Sequence, residues 1–207
     1  MAFITLVEIL DAITMSVLIG YIFYPYIARL NLFRKHVPEY YGKRRFDRSS
    51  FLFSVFLFGT AVIMHELGHK FVAVAFGYDA TFFSAISLNK LVHGLPFFDF
   101  ASILMIIALV TTYMGGTFFF FIPAYVAFNA APPPLQTALI AFAGPALNLV
   151  LWLVPRWLIK TKKIAYKYVS FAIMTSRINM ILFIFNMIPL PGFDGSKILS
   201  GLLSLFF

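Results

Sequence analysis

Cysteine is absent from the 207-residue sequence. Disulfide scaffolds and thiolate metal sites are thereby excluded, so a metal ion would have to be held by histidine and carboxylate. Acidic residues are scarce too, 8 Asp and Glu against 16 Lys and Arg, and charged residues make up only 12% of the chain. A water-facing domain carries about a quarter charged residues. Internal repeats and low-complexity tracts are also missing. Hydrocarbon fills the space: 61% of residues are hydrophobic, 27 are phenylalanine, and the mean hydropathy is +0.91. Such a surface suits lipid, and at this length residues 1–207 read as one polytopic domain. Within it, 1–50 form a first span and a basic loop, and 51–207 form the core.

The net charge of +8 gathers in two places, RLNLFRKHVPEYYGKRRFDRSS at 29–50 and RWLIKTKKIAYK at 156–167. Both lie between apolar runs and read as juxtamembrane loops drawn to anionic headgroups of the lipid bilayer. No base-reading fold surrounds them, so no nucleic-acid partner is expected. The stretch MAFITLVEILDAITMSVLIGYIFYPY lacks a basic start and carries Glu8 and Asp11. It reads as a retained first span, with both carboxylates favouring a helix N-terminus.

A span needs about 20 mainly apolar residues. That rule gives spans at 3–28, 51–76, 136–158 and 168–188. The last is followed by PLPGFDG, whose prolines break a helix, and SKILSGLLSLFF can restart as a short one. The stretch 99–128 is apolar enough to cross, but Gly115-Gly116 divides it into a helix-like half and a Phe-rich half suited to extended chain. The fold class is therefore all-α and polytopic: about four full transmembrane helices, a re-entrant or extended element, and a Pro-broken last helix.

Against this background FGTAVIMHELGHKFVAVAFG at 58–77 stands out. Positions i and i+4 share one helix face, so His65 and His69 can offer two nitrogens to one ion. Glu66 points aside, poorly placed as a ligand and well placed to reach a water held by that ion. Gly68 lets another backbone come close. Ionisable groups inside a span are costly and mark function by default. A structural histidine pair is the bland alternative. Catalytic zinc usually takes three protein ligands. The candidates for the third are Glu8, Asp11, Glu39, Asp47, Asp79, Asp99, Asp194, His36 and His93. Asp194 is favoured because it follows a broken helix that can aim it into a bundle. His36 sits in a basic loop, and His93 could reach from a loop.

HELGH in an early apolar helix, AGPALN opening a later one and NMIPLPGFDG breaking the last together resemble the site-2 protease family of intramembrane zinc metalloproteases. The family's pattern N-x-x-P-x-P-x-L-D-G is met at Asn186, Pro189, Pro191, Asp194 and Gly195, with Phe193 where Leu is usual. The likeness covers about residues 51–200 and is nearest to archaeal members. It implies one zinc ion held by His65, His69 and Asp194, with Glu66 as general base and proton shuttle. It implies that Asn186 contacts the substrate backbone or the oxyanion, and that Gly144 and Pro145 shape the helix beside the site. Asn148 reads as a structural hydrogen-bonder. The expected substrates are single-span membrane proteins, cleaved within the membrane of a prokaryotic, archaeal cell.

A shared ion requires His65 and Asp194 at similar depth, which forces an even number of crossings between them, counting the last one. Residues 99–128 should therefore be re-entrant, bent at Gly115-Gly116. A substrate strand could add to an extended edge at 81–88 or 117–126. Orientation is pulled two ways: the positive-inside rule makes the face with both basic clusters cytoplasmic, and the resemblance puts the zinc site nearer the cytoplasm. Two other readings stay in play, a metal- or proton-linked transporter and a zinc-stabilised membrane binder that does not cleave.

Overall fold

The computed structural model describes residues 3–30, 46–116 and 122–206. His36, Glu39, most of the first basic cluster and the Phe-rich residues 117–121 lie outside the described residues. In chain order the elements are α1 (Leu6–Arg29), α2 (Arg48–Ala75), β1 (Ala80–Ser84), α3 (Leu88–Val92), α4 (Phe100–Tyr113), β2 (Ala124–Phe128), α5 (Pro134–Lys160), α6 (Val169–Asn186) and α7 (Asp194–Leu203). Among the described residues four helices are long and apolar enough to cross a membrane: Leu6–Arg29, Arg48–Ala75, Pro134–Lys160 and Tyr166–Asn186. They coincide with the four spans read from hydropathy. Large apolar side chains such as Leu6, Leu52, Phe56 and Phe71 stand exposed on them, as a lipid-facing surface requires.

The chain forms two compact units, one of residues 1–60 with 84–123 and one of 61–83 with 124–207. In the first, Thr5 and Glu8 close a capping box at the start of α1: Glu8 N–H donates to Thr5 Oγ1 at 3.2 Å, and Thr5 N–H to a Glu8 carboxylate oxygen at 2.8 Å. Small residues set the approach of α1 to the first half of α2. A Cβ on Gly20 would collide with Val55, and one on Gly59 would lie 2.5 Å from Ser16. Phe23 stacks on Phe58 with centroids 4.1 Å apart.

Asp11 does not serve the end of α1 as its position suggested. It is 1% exposed and accepts from Ser87 Oγ, from Leu88 N–H at 3.2 Å and from Ser84 N–H at 3.4 Å. It therefore ties the chain between β1 and α3 to α1. A buried charge needs such partners to be tolerated. Lys90 obeys the same rule: fully buried, its Nζ reaches Asp99 at 2.8 Å, Ala85 C=O at 2.7 Å and Ser102 Oγ at 3.2 Å. Asp99 also caps α4, accepting from Ser102 N–H at 2.9 Å.

The segment 99–128 divides at its glycines as expected. Helix α4 has 14 residues, a rise of about 21 Å against a hydrocarbon core of about 30 Å. Gly115 then takes φ +82, a left-handed turn that suits glycine. Beyond it β2 is extended and pairs with β1. Ala85 N–H donates to Pro123 C=O at 2.8 Å, and Asn129 N–H to Asp79 C=O at 3.1 Å. The strands are therefore antiparallel, and the path through α3 and α4 returns to where it left.

In the second unit α5 packs against α6 and α7. Pro134 occupies the first turn of α5, where its missing N–H costs nothing. A Cβ on Gly201 of α7 would collide with Pro134 C=O, so glycine sets how near α7 lies.

Candidate metal centre

The second half of α2 carries the HELGH residues, and all the residues of this site belong to the second unit. His65, Glu66 and His69 are each no more than 8% exposed. One helical turn separates the imidazoles, whose rings meet edge to face with centroids 4.6 Å apart. Their Nε2 atoms lie 3.0 Å from each other. Asp194 Oδ2 lies 3.1 Å from His65 Nε2 and 3.2 Å from His69 Nε2. A tetrahedral zinc with bonds of about 2.0–2.1 Å spaces its ligand atoms about 3.3 Å apart. The three atoms therefore already have the separations that such an ion needs, and His65, His69 and Asp194 form a group able to hold a metal.

The hydrogen bonds behind the rings support that fit. His69 Nδ1 lies 2.7 Å from Ile140 C=O. A carbonyl only accepts, so Nδ1 carries a proton, and in the neutral ring that a metal requires Nε2 is then the lone pair. His65 Nδ1 lies 2.6 Å from Asn148 Oδ1, again an acceptor, so its Nε2 is likewise a lone pair. Two lone pairs and a carboxylate oxygen then face one buried point. Three converging acceptors repel one another unless a cation joins them, and a metal ion serves all three.

Local sequence explains how each group arrives. Gly144 leaves the space in which the rings lie: a Cβ there would collide with His69 Nε2 and sit 2.6 Å from His69 Cε1 and 3.0 Å from His65 Cε1. Pro145 follows inside α5 and has no N–H to give the carbonyl one turn back, which loosens the turn next to Ile140. Gly68 does what its lack of a side chain suggested: a Cβ there would meet Ala143 C=O at 2.6 Å. Asp194 is delivered by a break. Helix α6 ends at Asn186, Pro189 and Pro191 stand exposed in the connection, Gly192 turns at φ +96, and α7 begins at Asp194 itself. Gly195 lets that start tuck against the end of the preceding helix, since a Cβ would meet Met187 C=O at 2.5 Å.

The other predicted residues fall in different places. Glu66 is buried and interacts electrostatically with both imidazoles, Asp194 and Lys197. Asn186 is half-buried and donates from Nδ2 to Leu182 C=O at 3.0 Å, so that hydrogen bond faces its own helix. His93 caps α3, exposed, with Nδ1 2.9 Å from Asn89 C=O. Sequence reasoning missed two contributors. Ile140 acts through a backbone carbonyl, which leaves no mark in a side-chain pattern. Asn179, within hydrogen-bond distance of Asn148, was signalled only by being an amide in the middle of a span.

The sequence profile of Peptidase family M50 matches residues 53–163, more than half of the chain. The chain belongs to peptidase family M50. The match takes in HELGH and AGPALN and stops before Asp194, which rests on its own motif and on the geometry above. A protein of Bacillus subtilis (strain 168) named "Putative zinc metalloprotease YwhC" is 32% identical over 150 residues, which cover 67% of this chain. The chain spans 64% of that relative's length. The relative is bacterial and lends the archaeal likeness no support. No solved structure matches. With four apolar helices of spanning length, this M50 chain is an integral membrane protein.

Proposed function

We propose that the chain is an intramembrane zinc metalloprotease that hydrolyses peptide bonds in or near the transmembrane segments of single-span proteins. The observation that carries this reading is the buried convergence of His65 Nε2, His69 Nε2 and Asp194 Oδ2 within 3.2 Å of one another, with Glu66 adjacent in sequence. His65, His69 and Asp194 would hold one zinc ion. Bound zinc supplies Lewis acidity, making a water nucleophilic near neutral pH and polarising a peptide carbonyl. Glu66 accepts the proton of the attacking water at its carboxylate and passes it to the leaving amine nitrogen. Asn186 keeps a second Nδ2–H beyond the one given to Leu182, and that donor supports a substrate carbonyl as it gains charge. A transporter needs no general base beside a three-ligand site, and a silent binder has no use for an intact Glu66.

A substrate helix satisfies its own backbone and must unwind before it presents a bond. Strand addition to the β1–β2 sheet would hold the unwound segment. At Ser84 the outer side of β1 is already engaged by Asp11, which favours the outer edge of β2. The paired positions 85 with 123 and 79 with 129 set the alternation, so Val126 directs its N–H away from β1. Val126→Pro removes that donor while sparing the ladder. Cleavage of a single-span substrate is expected to fall while zinc content stays unchanged, read by gel assay and metal analysis. Turnover equal to wild type would remove β2 as the docking edge.

The reading as a whole is tested by metal analysis and chelation. Purified chain is expected to contain zinc, to lose peptide-bond cleavage when stripped by a chelator, and to regain it when zinc is returned. Cleavage that persists in metal-free protein would end the proposal.

A further inference from the structure

The site described so far leaves one buried amide without a task. Asn179 lies in the middle of α6, is 1% exposed, and falls outside the HELGH, AGPALN and NMIPLPGFDG motifs. Its Nδ2 donates to Thr175 C=O at 2.8 Å, and a backbone carbonyl can only accept. Oδ1 is therefore the atom that Asn179 turns toward Asn148, whose Nδ2 donates to it at 2.8 Å. With Nδ2 committed, Asn148 must present Oδ1 to His65, and it does so at 2.6 Å. The imidazole answers with Nδ1–H, and Nε2 is left as a lone pair facing His69 and Asp194. Ala61 C=O pulls on Asn148 Nδ2 in the same sense, but over a longer 3.3 Å.

We infer that Asn179 is a positioning residue: it orients the Asn148 amide and so holds His65 in the tautomer that can bind zinc. The ordering starts at Thr175 C=O, an atom whose role cannot reverse. If Asn148 turned over, its Nδ2 would face His65 Nδ1, the ring would move its proton to Nε2, and one donor to the metal would be lost. Asn148 is fully buried, so its two ends are set by protein partners. The two imidazoles are thus secured differently. His69 leans directly on Ile140 C=O, which no side-chain change can reverse. His65 depends on two amides in series, the second on a different helix. A bland interhelical hydrogen bond between Asn148 and Asn179 would contribute to stability alone and would leave the tautomer indifferent to Asn179.

The inference rests on the zinc reading proposed above, and its test separates the two. Histidine ring nitrogens are read by ¹⁵N NMR in the full chain in nanodiscs, stripped of zinc, at alkaline pH. Zinc affinity is read in parallel by chelator competition. Wild type is expected to carry the proton on Nδ1 of both His65 and His69. Asn179→Leu keeps volume and removes the acceptor. It is expected to populate the Nε2–H tautomer at His65 only and to weaken zinc binding by about 10–100-fold. Asn179→Asp presents an oxygen to Asn148 whichever way it turns, and is expected to restore the wild-type tautomer. An unchanged His65 tautomer in Asn179→Leu overturns the inference, as does His69 shifting together with His65. Should Asn179→Leu fail to fold, Asn179→Ala removes the same acceptor and is judged by the same criteria. A wild-type chain that binds no zinc would overturn the metal reading, while the tautomer measurement would still decide the part played by Asn179.

Discussion

Glu66→Gln is expected to lower turnover of a single-span substrate by about 10²–10⁴-fold, the usual contribution of a general acid–base group, while zinc stays bound. The two halves of that result come from different atoms. Glutamine matches glutamate in shape, so packing around a side chain that is 7% exposed is kept. The three acceptors His65 Nε2, His69 Nε2 and Asp194 Oδ2 are untouched, so the affinity of the site for its ion persists. What is lost is the carboxylate that takes a proton from water and returns it to the amine. Measuring cleavage beside zinc stoichiometry separates this from collapse of the site. The proposal fails if the variant cleaves at the wild-type rate. A transporter would keep its flux in this variant, and a binder would keep its partner.

Gly144→Ala should be nearly as damaging, although glycine donates nothing to a metal. The added Cβ would collide with His69 Nε2 and lie 3.0 Å from His65 Cε1. Both rings must move, and neither can do so freely. His69 is tethered to Ile140 C=O at 2.7 Å and His65 to Asn148 at 2.6 Å. Overfilling a packed interior typically costs about 1–3 kcal/mol, so the chain is expected to fold with a lowered melting temperature. Zinc binding is expected to weaken by about 10–100-fold, the scale of disturbing how ligands are oriented. Chelator competition checks this, with circular dichroism in detergent to show retained helix. Wild-type affinity in Gly144→Ala would mean that the rings can slide past the new methyl group, and the packing account of the AGP turn would be wrong.

Much of this molecule could be read from its residues because lipid simplifies the code. The four spans follow from apolar length, and HELGH follows from the one-turn spacing of ligands on a helix. Asp194 followed from the prolines before it, which break a helix and free a carboxylate to turn inward. The division of 99–128 followed from Gly115, which takes the left-handed turn at which α4 ends. The failures share a cause. Asp11 was assigned to the nearest helix end, but its partners Ser84, Ser87 and Leu88 come from a distant part of the chain. Lys90, which no sequence pattern singled out, lies fully buried against Asp99. Ile140 contributes a carbonyl that every residue has. Each depends on tertiary neighbours that no local pattern encodes, and the part of Asn179 showed only once its partner was known.

The order in which the groups are synthesised has a bearing on when the site is complete. A ribosome delivers His65, Glu66 and His69 early, in α2, and Asp194 only after α5 and α6 have been made. Until then a half-built chain in the translocon holds paired imidazoles and a base but no third anchor for the cation. Unfinished copies thus lack the complete three-acceptor site that the proposed hydrolysis needs.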